Sequence, residues 1–162
     1  MIKYANIVKA SIVDGLGLRL TVFLQGCPRH CEGCQNPNLL SLDGGAEIGV
    51  RELAELILKN ITPLHKGITF SGGDPLIQSR ELLRLIMIIK QQIPRLNIWV
   101  YTGFLFEEVK NIPVMSLIDV LVDGPFILSQ KDLSLKFRGS SNQRIIDVPK
   151  SLQQETVVLK EV

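Results

Sequence analysis

All three cysteines of the chain fall within one eight-residue stretch, Cys27-Pro28-Arg29-His30-Cys31-Glu32-Gly33-Cys34. Cysteines this close, with none elsewhere to pair with, argue for a metal or redox centre rather than a disulfide framework. Structural zinc takes four ligands, and ordinary iron–sulfur cubanes use four cysteines. With three on one loop, either a fourth donor comes from elsewhere or one coordination position stays open, and an open position is where a substrate binds. His30 is the nearest spare donor and reads either as a ligand or as a solvated loop histidine. His65, between Pro63 and Gly67, reads as a loop residue.

The rest of the chain must fold so as to deliver that loop. A chain of 162 residues suggests one domain, spanning 1–162, with a sizeable core. Its 46% apolar and 21% charged residues are an ordinary globular mixture. A net charge of +2 with no basic run gives no footprint for nucleic acid or an anionic membrane. The longest apolar stretch, Leu82 to Ile89, is too short to span a bilayer and contains Arg84. No signal-peptide pattern is visible, so the expectation is a soluble, cytoplasmic protein.

Taken in order, residues 1–17 read as a lead-in ending in the turn Asp14-Gly15-Leu16-Gly17. Leu18–Leu24 alternates as a strand, and residues 35–48 read as loop. Val50–Ile61 has helical spacing at Leu53, Leu56, Ile57 and Ile61, closed by Pro63. Gly67–Ser71 is a second strand. Ser79–Ile93 is a longer helix whose core face is Leu82, Leu85, Ile86, Ile89 and Ile93. Asn97–Tyr101 is a third strand, Leu105–Lys110 a short helix, Leu117–Val122 a fourth strand and Arg144–Val148 a last one. After Pro149 the tail reads as loosely attached.

Strand–helix–strand repetition implies an α/β fold with a mainly parallel sheet. Four to six strands are too few for a closed eight-stranded barrel, so an open, partial β/α barrel is expected. Each unusual motif follows a strand directly: the cysteine loop, Gly72-Gly73-Asp74-Pro75, Thr102-Gly103 and Asp123-Gly124. In parallel sheets sites form at the carboxyl ends of strands, so these motifs should share one rim and one site.

The spacing Cys27-x-x-x-Cys31-x-x-Cys34, with Gly72-Gly73-Asp74-Pro75, resembles the radical S-adenosylmethionine superfamily. The resemblance narrows over Gly26–Asn36, Ser71–Leu76, Trp99–Gly103, Val120–Phe126 and Arg138–Gln143, which are similar to the activating proteins of anaerobic ribonucleoside-triphosphate reductase. The match runs nearly end to end. The turn at Asp14–Arg19 is shared more widely among glycyl-radical activating enzymes.

This resemblance implies a radical S-adenosylmethionine-type fold and a [4Fe–4S] cluster on Cys27, Cys31 and Cys34, with S-adenosylmethionine on the open iron. It implies S-adenosylmethionine contacts at Gly33, Cys34, Gln35, Gly72, Gly73 and Asp74, and no catalytic residue beyond the cluster ligands. The implied reaction is reductive cleavage to a 5′-deoxyadenosyl radical, which makes a glycyl radical on the reductase. The implied partners are that reductase and an external one-electron donor, with neither nucleic acid nor membrane. Many relatives carry an aromatic residue beside the third cysteine; here Gly33 and Gln35 stand there, which leaves the adenine contact unassigned. Asp123 reads equally as a site residue or a turn residue. Arg138–Gln143 reads as a partner contact, a ribose contact or a structural turn. The alternatives are activation of another glycyl-radical enzyme such as pyruvate formate-lyase, radical chemistry on a free metabolite, or a non-catalytic zinc module.

Overall fold

The computed structural model describes all 162 residues, Met1–Val162. Its strands are β1 (Ile2–Ser11), β2 (Arg19–Leu24), β3 (Ala46–Ile48), β4 (Gly67–Gly72), β5 (Asn97–Tyr101), β6 (Val120–Asp123) and β7 (Arg144–Asp147). Its helices are α1 (Val50–Asn60), α2 (Ser79–Gln92), α3 (Phe106–Val109) and α4 (Val148–Gln154). The seven strands form one sheet in the order β3-β1-β2-β4-β5-β6-β7. The four central strands β2, β4, β5 and β6 run parallel, while β1, β3 and β7 join antiparallel. The sheet is therefore mixed, with its parallel part at the centre. No helix is long and apolar enough to cross a membrane.

The central strands are buried on both faces. Leu20, Val22, Leu24, Ile68, Phe70, Ile98, Val100 and Leu121 point to one side and pack against the apolar faces of α1 and α2. The α2 face is Leu82, Leu85, Ile86 and Ile89, at the spacing its sequence predicts, while Ile93 packs at its end. On the opposite side, Trp99, Val120, Val122 and Ile145 form a second small cluster with Tyr101 and Phe137. Period-two alternation puts Thr21, Thr69 and Arg19 on that second face. One face of the sheet is thus a closed core, and the other is the floor of a site.

Three sequence expectations change. Residues 2–11 are a ten-residue strand, not a lead-in. The pairing of β1 with β2 shifts register between Tyr4 and Asn6, so the side-chain alternation of β1 breaks and hides it from a period-two reading. Residues 35–48 hold a 3-10 turn at Pro37–Leu39 and the short edge strand β3. The tail is docked rather than loose: α4 is followed by a chain that bonds back to β7 through Asp147 N to Val158 O (2.8 Å) and Lys160 N to Ile145 O (2.8 Å).

At the carboxyl end of β2 the backbone is laced to the turn that ends β4. Gly73 N donates to Leu24 O (2.9 Å), and Asp74 N donates to Gly26 O (2.8 Å). Gly26 N and Cys27 N donate in turn to Leu39 O and Leu40 O at 2.8 and 3.0 Å. Gly73 allows this closeness, since a Cβ there would lie 2.4 Å from Gly26 O and 2.6 Å from Leu39 O. These are backbone atoms, so nothing flexible can yield. Gly73→Ala is expected to destabilise the protein by about 1–3 kcal/mol, as overpacking does. The check is a urea unfolding midpoint that falls while the slope with denaturant stays the same.

Candidate active site

The strand ends are joined by one carboxylate. Asp74 is 1% exposed. Its Oδ1 accepts from Leu76 N (3.1 Å) and Thr102 Oγ1 (2.8 Å), and its Oδ2 accepts from Gly103 N (3.0 Å) and Arg29 Nη1 (2.6 Å). The Arg29 guanidinium also lies over the Phe104 ring, 4.2 Å from its centroid. The cysteine loop, the β4 turn and the end of β5 therefore meet at Asp74. A second buried carboxylate, Asp123, accepts from Arg144 Nη2 (2.6 Å) and Phe106 N (2.8 Å), which settles it as a tie between β6, β7 and α3. The bonds from Asp123 and Glu107 push the Arg144 guanidinium further up, and Arg144 in turn draws the Glu107 carboxyl down.

The other face of the sheet carries a cavity of about 740 Å³. Cys27, Cys31 and Cys34 all line it, as do Gln35, Gly72 and Gly73. All three thiols are free; Cys27 is buried, and Cys31 and Cys34 are half-buried. Burial pushes the Cys27 thiol up, and the backbone amide and guanidinium of Arg29 work against that rise. No group of three or more His, Cys, Asp or Glu side chains is gathered tightly enough to hold a metal ion. The donor set nevertheless suits a cluster: three unpaired thiols from one loop face one cavity, and no disulfide competes for them. Neither histidine lines that cavity. His65 instead bonds to Thr62 N (3.0 Å) and Lys9 O (2.5 Å).

Two expected cofactor contacts sit elsewhere. Asp74 does not line the cavity, because both its oxygens are turned to protein donors. Gly33 does not line it either; at φ +75° it lies under Leu128 and Phe126, 2.8 and 3.3 Å from where its Cβ would be. Phe126, in the segment that follows β6, does line the cavity and also abuts Gly139. It supplies an aromatic ring beside the loop that has none at 33 and 35. Sequence reasoning missed this because the two stretches are joined only by the fold.

The remaining walls are partly charged. Asp14 lines the cavity, with its Oδ2 held by Ser11 Oγ (2.7 Å) and Thr21 Oγ1 (3.2 Å). Tyr101 lines it too, and burial followed by the charge of Asp14 drives its phenol pKa upward. The 138–143 stretch is braced internally, since Gln143 Oε1 accepts from Gly139 N (2.9 Å) and its Nε2 donates to Gly124 O (3.1 Å). Arg138 bonds to Gln143 O (2.9 Å), yet its Nε is buried without a partner and the residue lines the cavity. Arg138 therefore keeps spare bonding capacity at the cavity wall.

Residues 13–146 match the family described as 4Fe-4S single cluster domain. The chain is 38% identical over 148 residues to the anaerobic ribonucleoside-triphosphate reductase-activating protein of Salmonella typhi, covering 87% of this chain and 96% of that one. It is 36% identical over 147 residues to the protein of that name from Escherichia coli (strain K12), covering 86% and 95%. It is 34% identical over 146 residues to that of Enterobacteria phage T4, covering 88% and 92%. Among solved structures, QueE from Escherichia coli superposes with a TM-score of 0.43 at 16% identity, covering 63% of this chain and 52% of that one. On sequence identity sustained over nearly the full length of these relatives, the chain belongs to the family of anaerobic ribonucleoside-triphosphate reductase-activating proteins, built on a 4Fe-4S single cluster domain.

Proposed function

We propose that this chain activates an anaerobic ribonucleoside-triphosphate reductase by radical S-adenosylmethionine chemistry, as one domain of the partial β/α barrel type. The observation that carries the reading is that three free thiols line the same cavity as the glycine turn ending β4. In this reading Cys27, Cys31 and Cys34 hold a [4Fe–4S] cluster, and S-adenosylmethionine binds beside it. Together these groups would supply one-electron reductive cleavage of S-adenosylmethionine, the radical chemistry that makes a glycyl radical on the reductase.

The chain's own residues bind, orient and exclude water. Cys27 is fixed by the lacing at the end of β2, and Arg29 holds the middle of the loop. Gly72 and Gly73 leave room on the cavity side for S-adenosylmethionine, and Cys34 and Gln35 flank it. Phe126 offers a face for adenine, the part a ring on the cysteine loop would otherwise play. Phe23, Leu135 and Phe137 wall the cavity with apolar surface. No proton need be moved by the protein. The electron comes from an external one-electron donor, and the reductase is the one macromolecular substrate.

Three outcomes check the reading. When the chain is reconstituted anaerobically with iron and sulfide, mixed with the reductase and supplied with reductant and S-adenosylmethionine, it should yield a glycyl radical signal in electron paramagnetic resonance. A reductase left without that signal sinks the proposal. Cys31→Ala should lose both bound iron and S-adenosylmethionine cleavage; a variant that still cleaves would reject the ligand assignment. Phe126→Ala should weaken S-adenosylmethionine binding by roughly tenfold, the low end of what stacking of a base on an aromatic ring contributes. Calorimetric titration of the reconstituted protein reads this directly, and unchanged affinity removes Phe126 from the adenine site.

A further inference from the structure

Arg29 carries more than the family resemblance requires of it. It sits between two of the cysteines, and its side chain reaches a carboxylate 45 positions away. The ion pair is short, 2.6 Å, between an Arg29 side chain that is 25% exposed and an Asp74 that is 1% exposed. The guanidinium is held on three sides. It bonds Asp74, stacks over Phe104, and presses on Gly103 so closely that a Cβ there would lie 2.8 Å from Nη1. Arg29 lines the cavity together with all three cysteines.

Besides Arg29, Asp74 has three neutral donors. Leu76 N, Thr102 Oγ1 and Gly103 N already serve its two oxygens. What these neutral donors cannot supply is charge. A buried carboxylate beside a centre that must accept an electron opposes that electron, and a desolvated charge is screened little. A guanidinium locked against it cancels the opposition. Cluster potentials respond to net charge and to hydrogen bonds around the sulfurs.

We infer that the Arg29–Asp74 pair sets the reduction potential of the centre held by Cys27, Cys31 and Cys34, the guanidinium raising it and the carboxylate lowering it. Arg29 is in this sense a positioning residue that also tunes: it ties the loop to the strand ends and neutralises the one buried charge in the tie. This rests on the cluster reading given above. It goes beyond that reading by making two residues that are not cluster ligands opposite and measurable influences on the potential.

The test is a reductive titration of the full chain, reconstituted anaerobically with iron and sulfide, without S-adenosylmethionine. Arg29→Gln should shift the midpoint potential negative by the equivalent of about tenfold in the reduction equilibrium, about 59 mV for one electron. Asp74→Asn, which keeps the shape and most of the hydrogen bonds, should shift it positive. The double variant should return close to the wild-type value, and Arg29→Lys should stay nearer to wild type than Arg29→Gln. A purely structural latch predicts shifts of the same sign, or cluster loss in both single variants, and either result overturns the inference. If Arg29→Gln alone fails to take up the cluster, the sign for Asp74→Asn decides, with a positive shift supporting the inference and a zero or negative shift sinking it. A wild-type chain that takes up no cluster refutes the cluster reading itself, whereas a wild-type cluster with unsplit potentials refutes only the role of the pair.

Discussion

The carboxylate of Asp74 is the point on which the site depends. It is buried, so each lone pair left unpaired would cost on the order of 1–3 kcal/mol or more. The protein meets that demand with donors from three separate places: the loop after β2, the turn after β4 and the end of β5. Satisfying one group therefore fixes three strand ends relative to each other. The register of β2 with β4 runs unbroken from Arg19↔Gly67 to Leu24↔Gly72, and the Asp74 bonds close the end of that ladder.

The opposite end of the same strand carries the complementary case. Arg19 opens β2 and is 1% exposed, a buried cation with no ion pair assigned to it. It is satisfied instead by neutral acceptors: Thr69 Oγ1 (2.8 Å), Leu16 O (3.0 Å), Ile68 O (3.0 Å) and Asn97 Oδ1 (2.9 Å). Its guanidinium also faces the Trp99 ring at 5.4 Å. Burial pushes its pKa down to about 10, still far above neutrality, so the group stays charged. Arg19 pins Asn97 and the Asp14–Gly17 turn against the floor of the sheet and closes that end. The cavity is left to open where the cysteines are.

Much of this was legible in the sequence, and the legible part is the part governed by local rules. The α2 core face follows from helical spacing. The span of β5, Asn97–Tyr101, is the same in the sequence reading and in the structure. That the cysteine loop and the β4 turn share one rim follows from parallel topology alone. The hidden part depends on side chains distant in sequence. Strand β1 was unreadable because a register shift breaks its alternation. Asp74 is expected as a cofactor contact because it belongs to the Gly72-Gly73-Asp74-Pro75 motif, and only the fold shows that Arg29 and Thr102 bond its oxygens. Asp123 is bonded by Arg144, 21 positions away, a partner that no local rule shows. Gly33 read as a missing aromatic residue, whereas its lack of a side chain is what lets Phe126 and Leu128 close over the loop.

The three cysteines are also held unequally, and this has a consequence for how a cluster is acquired. Cys27 is buried and its amide is bonded into the base of the loop, so the folded sheet presets it. Arg29, two residues on, is locked to Asp74 and Phe104. Beyond that point the loop carries a single turn bond, Cys34 N to Cys31 O (3.1 Å), and both cysteines there are half-buried. Metal binding stabilises whatever part of a fold it organises. The sheet and the Cys27–Arg29 half of the loop owe their order to packing and hydrogen bonds, so the gain from metal uptake falls on the Cys31–Cys34 half. Arg29 stands at the boundary between the two halves, held to the rigid part and adjacent in sequence to the part that the metal must gather. The same anchor that neutralises Asp74 thus limits how far the cysteines must move to meet a common centre.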